Sequence, residues 1–282
     1  TYKGFRWPSV IMMAFAVLFF YGIINAITQR AWLAAAFTSL VIFDNALVIH
    51  SRAAMLEGIQ LFFILGALYY FVRVATDFLH HKKAITLKHY AFLGVWIGLS
   101  VAVKVNAFIL LLLFVMLYGV DQWSAIKQWQ WRALIARLAT TVPAGVIPVA
   151  AVFLAVFYVH IGMGTTIVKD RTYKASPEYL AQIRAGNTWS PNTFVLGMKD
   201  NLRYMSEYAD GVPRLDVCKP DENGSYAMGW PLSKKTISYR WDKNTIDGKV
   251  IVKYKYLIGN PLVWFSVLGG IILSVGLIIS RY

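Results

Sequence analysis

Two short clusters of polar residues interrupt otherwise apolar sequence, and both have the residue types of an anion site. The first runs Asp44-Asn45-Ala-Leu-Val-Ile-His50-Ser51-Arg52-Ala-Ala-Met-Leu-Glu57. Ionisable groups at membrane depth cost at least ~2.5 kcal/mol each on insertion scales and are normally buried against partners or a cavity. A cluster of Asp44, Asn45, His50, Arg52 and Glu57 is therefore expensive without a use. The competing reading is an ion pair of Arg52 with Asp44 or Glu57 that only staples two helices. The second cluster is Lys104 with Asn106, a lone cation and an amide between two apolar half-helices. A break there frees backbone N–H groups that, together with an ammonium, suit a phosphate; snorkelling of Lys104 to the interface competes with that use. Arg6 stands at the mouth of the first apolar run, where taken alone it is an interfacial anchor. A fourth stretch, Asn223-Gly-Ser-Tyr226-Ala-Met-Gly-Trp230-Pro231-Leu, is followed by Lys234, Lys235 and Tyr239-Arg240-Trp241. Aromatic faces beside fixed cations suit a sugar ring carrying a phosphate, and equally suit packing of a loop.

The elements that must position these residues are long apolar runs near 10–28, 32–49, 56–74, 89–120, 138–159 and 261–280. A membrane helix takes about 20 residues. The 89–120 run is too long for one straight span and is interrupted by Lys104 and Asn106, so it splits there, giving about seven spans. Region 160–257 has no membrane-length apolar run and reads as one long extracytoplasmic loop. Within it Phe194, Met198, Leu202, Met205 and Tyr208 recur at helical spacing, which predicts an amphipathic helix. Ile237, Tyr239 and Trp241, the Asp247-Gly248 turn, and Val250, Val252, Tyr254 and Tyr256 predict a β-hairpin. The expected class is a membrane all-α bundle carrying that loop. Its divisions are 1–159 in the membrane (about six spans), 160–257 outside, and 258–282 as a further span. The chain enters an apolar run soon after Thr1 and ends on Tyr282 just after another, so it reads as cut from something longer.

Bulk composition agrees with a membrane protein. Hydrophobic residues make up 58% of 282 positions, and the mean hydropathy is +0.53, well above a soluble domain. The net charge of +14 is placed as topology signals rather than as a nucleic-acid face. Lys82, Lys83 and Lys88 with His80 and His81 follow one apolar run, and Lys127, Arg132 and Arg137 follow another, as in short cytoplasmic loops. That orientation sends Arg6, the His50–Glu57 segment, Lys104 and 160–257 to the other side. The single cysteine, Cys218, rules out a disulfide within the chain. No Walker loop, dinucleotide fingerprint, zinc spacing or Gly-x-Ser-x-Gly is present, so no metal or nucleotide cofactor is expected.

Taken in order, Phe5-Arg6-Trp-Pro8, the Phe43 to Glu57 hairpin, Gly98-Leu-Ser-Val-Ala-Val-Lys104, Trp230-Pro231-Leu and Tyr256-Leu-Ile-Gly259-Asn260-Pro261-Leu-Val-Trp264 resemble the protein O-mannosyltransferase family. These are multi-span enzymes of the GT-C glycosyltransferase class, and the resemblance covers nearly the whole chain. It implies transfer of mannose from a polyprenyl-phosphate carrier to Ser or Thr hydroxyls of exported proteins, at the outer face of the plasma membrane, with no cofactor beyond the lipid-linked donor. It makes Arg6, Arg52 and Lys104 candidates to hold the carrier phosphate, with Asp44, Asn45, His50, Glu57 and Asn106 supporting them. Tyr226, Trp230, Pro231, Lys235 and Arg240 are the loop candidates for substrate. The family's catalytic acidic pair lies in an outer loop that would precede Thr1. Two departures stand out: Glu57 where the family tends to carry Asp, and Asn223-Gly-Ser-Tyr226 where it has His-Pro-Tyr. The absence of a large loop insertion is similar to prokaryotic members. A GT-C enzyme moving another sugar to lipid or glycan, and a transporter with Arg52, Glu57 and Lys104 along its path, are the alternatives. Membrane lipid, the lipid-linked sugar and the acceptor protein are the expected partners; the oligomeric state is open.

Overall fold

A computed structural model of the chain describes residues 6–52, 56–168, 174–211, 226, 229, 232, 237–246, 249–257 and 260–281. The chain divides into two compact units, residues 1–58 with 214–282, and residues 59–213.

In the first unit, α1 (Trp7–Thr28) opens with Trp7-Pro8, proline at the helix start costing no hydrogen bond. It packs on α2 (Ala31–Ile42) and α3 (Asn45–Arg52). The apolar run 32–49 is not one straight helix: α2 and α3 meet at 66°. The elbow forms because the buried Asp44 carboxylate accepts the Leu47 N–H at 3.0 Å and so restarts the helix as an N-cap. The start of α4 (Leu56–His81) lies close against α1, since a Cβ on Gly58 would stand 2.7 Å from Ser9 Oγ. The same unit holds strands β1 (Ile237–Ile246) and β2 (Lys249–Leu257), paired antiparallel, and the apolar helix α11 (Pro261–Arg281). The strand register shifts between Ser238 and Arg240, so a bulge at Tyr239 interrupts the strict alternation of β1.

The second unit is built on α5 (Leu87–Val103), a 3-10 helix (Val105–Leu111), α6 (Leu112–Asp121), the short α7 (Trp123–Lys127) and α8 (Trp131–Met163), beside the body of α4. Tyr90, Leu93, Ile97 and Val101 of α5 are its fully buried spine, joined by Leu117 and Val149. The tightest contact is between α5 and α8: Gly94 and Gly98, four residues apart, let the two backbones approach at Gly145 and Val149. At one end a polar clasp closes the bundle. Asp121 accepts from Arg137 Nε at 3.0 Å and from the Tyr90 hydroxyl at 3.3 Å, and Arg137 also donates to the Ile85 carbonyl at 2.8 Å. At the other end, α10 (Pro191–Gly211) folds against the end of α8, and α9 (Pro177–Arg184) packs on α10. There Tyr158 donates to the Trp189 carbonyl at 2.6 Å, and Asp200 is buried, accepting from both N–H and Oγ of Ser176, the N-cap of α9.

Many apolar side chains point outward, among them Leu18 on α1 and Ile135, Ile147 and Leu154 on α8. That inversion is what lipid requires and water penalises. Among the described residues three helices, α1, α4 and α8, are long and apolar enough to cross a membrane, and the bent α2–α3 pair passes the same test as a fourth. α5 and the 3-10 helix with α6 are apolar but shorter, as is the Pro261–Leu277 part of α11.

Candidate functional site

In the first unit the polar cluster gathers at the α2–α3 elbow. Asp44 is turned toward backbone donors. One carboxylate oxygen caps α3, and the other accepts the Asn260 N–H at 3.4 Å. Asn260 in turn caps α11, its Oδ1 accepting from the Leu262 N–H at 3.1 Å, while its Nδ2 donates to the Phe43 carbonyl at 3.4 Å. Asn260 therefore fastens the start of α11 to the elbow. Asn45 is exposed at the first position of α3. His50 is half-buried, and its Nδ1 is buried with no hydrogen-bond partner among the described residues. Which of the two ring nitrogens carries the proton sets whether this atom donates or accepts. Arg52 closes α3, where a cation complements the helix dipole; its side chain lies outside the described residues. Arg6 is the exposed N-cap residue of α1, and Glu57 sits half-buried in the first turn of α4, the favourable end for a carboxylate.

In the second unit the site is the break after α5. Lys104 is extended, at φ −152° and ψ 130°, and exposed, with α5 ending before it and the 3-10 helix beginning after it. The break is held by Gln60 of α4. Its buried amide Nε2 donates to Asn106 Oδ1 and reaches the Lys104 carbonyl at 3.5 Å. Ser100, one turn before, is fully buried with its hydroxyl unpartnered among the described residues. An exposed lysine thus stands at the interruption between α5 and the 3-10 helix, with the break braced by the Gln60–Asn106 hydrogen bond.

Of the loop candidates, Tyr226 is exposed, with its carbonyl accepting from the Gly229 N–H at 2.9 Å. Trp230, Pro231 and Lys235, like the Asn223-Gly-Ser segment and Cys218, lie outside the described residues. Arg240 follows the bulge and pairs with Lys255 in backbone register, its side chain likewise undescribed. On the α9–α10 layer, burial pushes the Tyr179 phenol above its ordinary range, and the Asp200 charge adds to the effect.

Sequence reasoning passed over Gln60 and the capping role of Asn260. Gln60 is a lone amide inside the apolar Gly-Ile-Gln-Leu-Phe stretch, and a buried amide there requires a polar partner. That requirement was the signal that could have led from Gln60 to Asn106. Residues 1–163 match the family model described as dolichyl-phosphate-mannose-protein mannosyltransferase, a segment holding Arg6, the Asp44–Glu57 cluster, Gln60, Lys104 and Asn106. No curated protein and no solved structure matches the chain.

Proposed function

The chain belongs to the dolichyl-phosphate-mannose-protein mannosyltransferase family, and on that footing we propose that it transfers mannose from a polyprenyl-phosphate carrier to Ser or Thr hydroxyls of exported proteins. The observation that carries the proposal is the family match over 1–163. In the transfer, the acceptor oxygen bonds to the anomeric carbon as the bond from that carbon to the phosphate oxygen breaks. The polyprenyl phosphate leaves with the electron pair, and the hydroxyl proton passes to a carboxylate acting as general base.

Negative charge grows on the phosphate as the sugar departs, so a fixed cation beside it lowers the barrier. Arg6, Arg52 and Lys104 are each assigned to this task. What supports Lys104 is its exposed ammonium at a break that Gln60 and Asn106 hold in place. Arg6 and Arg52 are supported by their places at the start of α1 and the end of α3. Seven crossings are proposed, counting the bent α2–α3 pair, α5, the 3-10 helix with α6, and α11 beside α1, α4 and α8. With the basic loops at Lys82–Lys83 and Lys127–Arg132 in the cytoplasm, the active face is extracytoplasmic. Gln60 and Asp77 lie seventeen residues apart on α4, about 25 Å by the helical rise, so the Lys104 break and the Lys83 loop fall at opposite interfaces. Tyr226, Trp230, Pro231, Lys235 and Arg240 are assigned to substrate binding in the loop.

The test is incubation of the full-length protein in bilayers with polyprenyl-phosphate mannose and a Ser/Thr peptide. Mannosylated peptide is expected. Sugar appearing only on lipid or glycan, or no transfer at all from a folded protein, refutes the proposal.

A further inference from the structure

A second charged feature lies at the other end of α4, where it meets the start of α5. A cavity of about 200 Å³ opens there, lined by Tyr70, Arg73 and Asp77 of α4, by Lys83 of the connecting turn and by His89 of α5, with Val74 and Ala84 between them. We propose that this cavity binds the phosphodiester headgroup of an anionic membrane phospholipid.

The charges leave a surplus of one cation. Lys83 Nζ is 2.9 Å from Asp77 Oδ2, so those two satisfy each other. Arg73 is exposed on the same cavity wall, and among the described residues no carboxylate forms an ion pair with it. Asp77, one turn further along α4, is shared electrostatically between Arg73 and Lys83, so two cations face one carboxylate, and the planar guanidinium fork matches an incoming phosphate better than a point charge does. His89 supplies a second donor. Its Nδ1 accepts the Thr86 N–H at 2.9 Å, which puts the ring proton of the neutral imidazole on Nε2. Lys82 and Lys88, the sequence neighbours of Lys83 and His89, are both exposed and raise the local attraction for anions.

What selects a lipid over a soluble phosphate ester is the side on which the cavity is apolar. On its apolar side the cavity is lined by Tyr70, whose ring packs beside that of Phe92 with centroids 4.8 Å apart, and Phe92 is exposed to the surroundings of the bundle. A headgroup held by Arg73 and His89 therefore has its acyl chains along Tyr70 and Phe92, and its polar end at the Lys82–Lys88 turn. Arg73 sits eight residues before the end of α4, about 12 Å along the axis, within reach of the headgroup layer by snorkelling.

The experiment is native mass spectrometry of the full-length protein released from detergent after titration with phosphatidylglycerol, phosphatidylcholine or soluble glycerol 3-phosphate. Phosphatidylglycerol adducts are expected at about five-fold higher occupancy than phosphatidylcholine, with no displacement by glycerol 3-phosphate. Arg73→Gln should lower phosphatidylglycerol occupancy about five-fold, and Arg73→Lys, which keeps the charge but loses the fork, should fall between. Lys127→Gln, a basic interfacial residue outside the cavity, should leave occupancy unchanged. Should Arg73→Gln not fold, as read by its melting curve, the Arg73→Lys result decides alone. Wild-type retention by the folded Arg73 variants, or equal loss in Lys127→Gln, overturns the site. Full displacement by glycerol 3-phosphate overturns the lipid assignment in favour of a soluble ester.

Discussion

Replacing Gly94 and Gly98 by alanine tests whether the α5–α8 contact holds the Lys104 break in place. A Cβ at Gly98 would stand 2.9 Å from the Val149 carbonyl oxygen and 3.0 Å from Val152 Cβ. Comfortable contacts lie near 3.5 Å, so the helices must part by roughly half an ångström. At Gly94 the new methyl runs directly into the Gly145 carbonyl oxygen, a backbone atom that cannot rotate away. Overpacking of this kind costs about 1–3 kcal/mol, against roughly 1 kcal/mol gained from alanine's helix propensity. The net loss is therefore close to zero up to about 2 kcal/mol at Gly98, and near the upper figure at Gly94. Gly119, whose Cβ would meet nothing within 4 Å, is the matched control and should gain stability on replacement. In melting temperature, Gly94→Ala should fall by roughly 4–8 °C, with Gly119→Ala at or above the parent. Because the first alanine already separates the helices, the double variant should lose less than the sum of the two. The assay is thermal unfolding in detergent alongside transfer activity, since Lys104 follows Gly98 by six residues on the same rigid segment. Gly94→Ala and Gly98→Ala melting with Gly119→Ala would refute the close-contact account.

Three further perturbations follow from the same geometry. Gln60→Leu removes the donor to Asn106 Oδ1 and should cost about 1–3 kcal/mol in unfolding, with transfer falling further than stability alone explains. Replacing Asn260 separates capping from electrostatics. Asn260→Ala should lose about 1 kcal/mol with the α11 cap, whereas Asn260→Asp keeps that cap but sets a second carboxylate beside Asp44. The Asp variant should be the weaker at neutral pH, and the two should converge in acid melts below about pH 4. Finally, the Tyr179 phenol is held protonated in the fold above its ordinary value of 10.0, so its contribution is complete below pH 10.0 and drains away as pH rises past it. Melting curves between about pH 9 and 12 should show that loss, and Tyr179→Phe should flatten it.

The sequence was most legible where polar residues interrupt long apolar runs. Lys104 and Asn106 divide the 89–120 run, and the structure ends α5 at Val103 and restarts at Val105, because an ammonium and an amide cannot be left unsatisfied in the middle of a span. Asp44 was harder to read. It drew notice as an ionisable group in an apolar run, yet its geometry is that of a helix cap, and a 66° elbow replaces the straight helix that the hydropathy of 32–49 suggests. A hydropathy window sees how much apolar surface a segment carries and is blind to a single cap that redirects it. The same blindness shortened α8: charged Arg132 and Arg137 set the edge of the apolar run at 138, but the helix begins at Trp131, with Arg137 inside it paired to Asp121.

The candidate site divides along the same physical line. Residues whose chemistry is costly in lipid, Arg52 and Lys104 among them, announce themselves by type, since a charge in an apolar context needs a reason. Residues that position them do not, because an amide such as Gln60 or Asn260 is cheap enough to occur anywhere and gains its meaning only from a partner 44 or 216 residues away in the chain. It follows that Gln60 and Asn260 are the sharper probes of mechanism. If the break at Lys104 serves the leaving phosphate, Gln60→Leu should depress turnover while Lys104 itself is intact, and adding a charge-conserving Lys104→Arg change should not restore it. Equal turnover in Gln60→Leu and the parent protein, at matched folded fraction, would mean that the break is only a joint between helices and that the phosphate is held elsewhere.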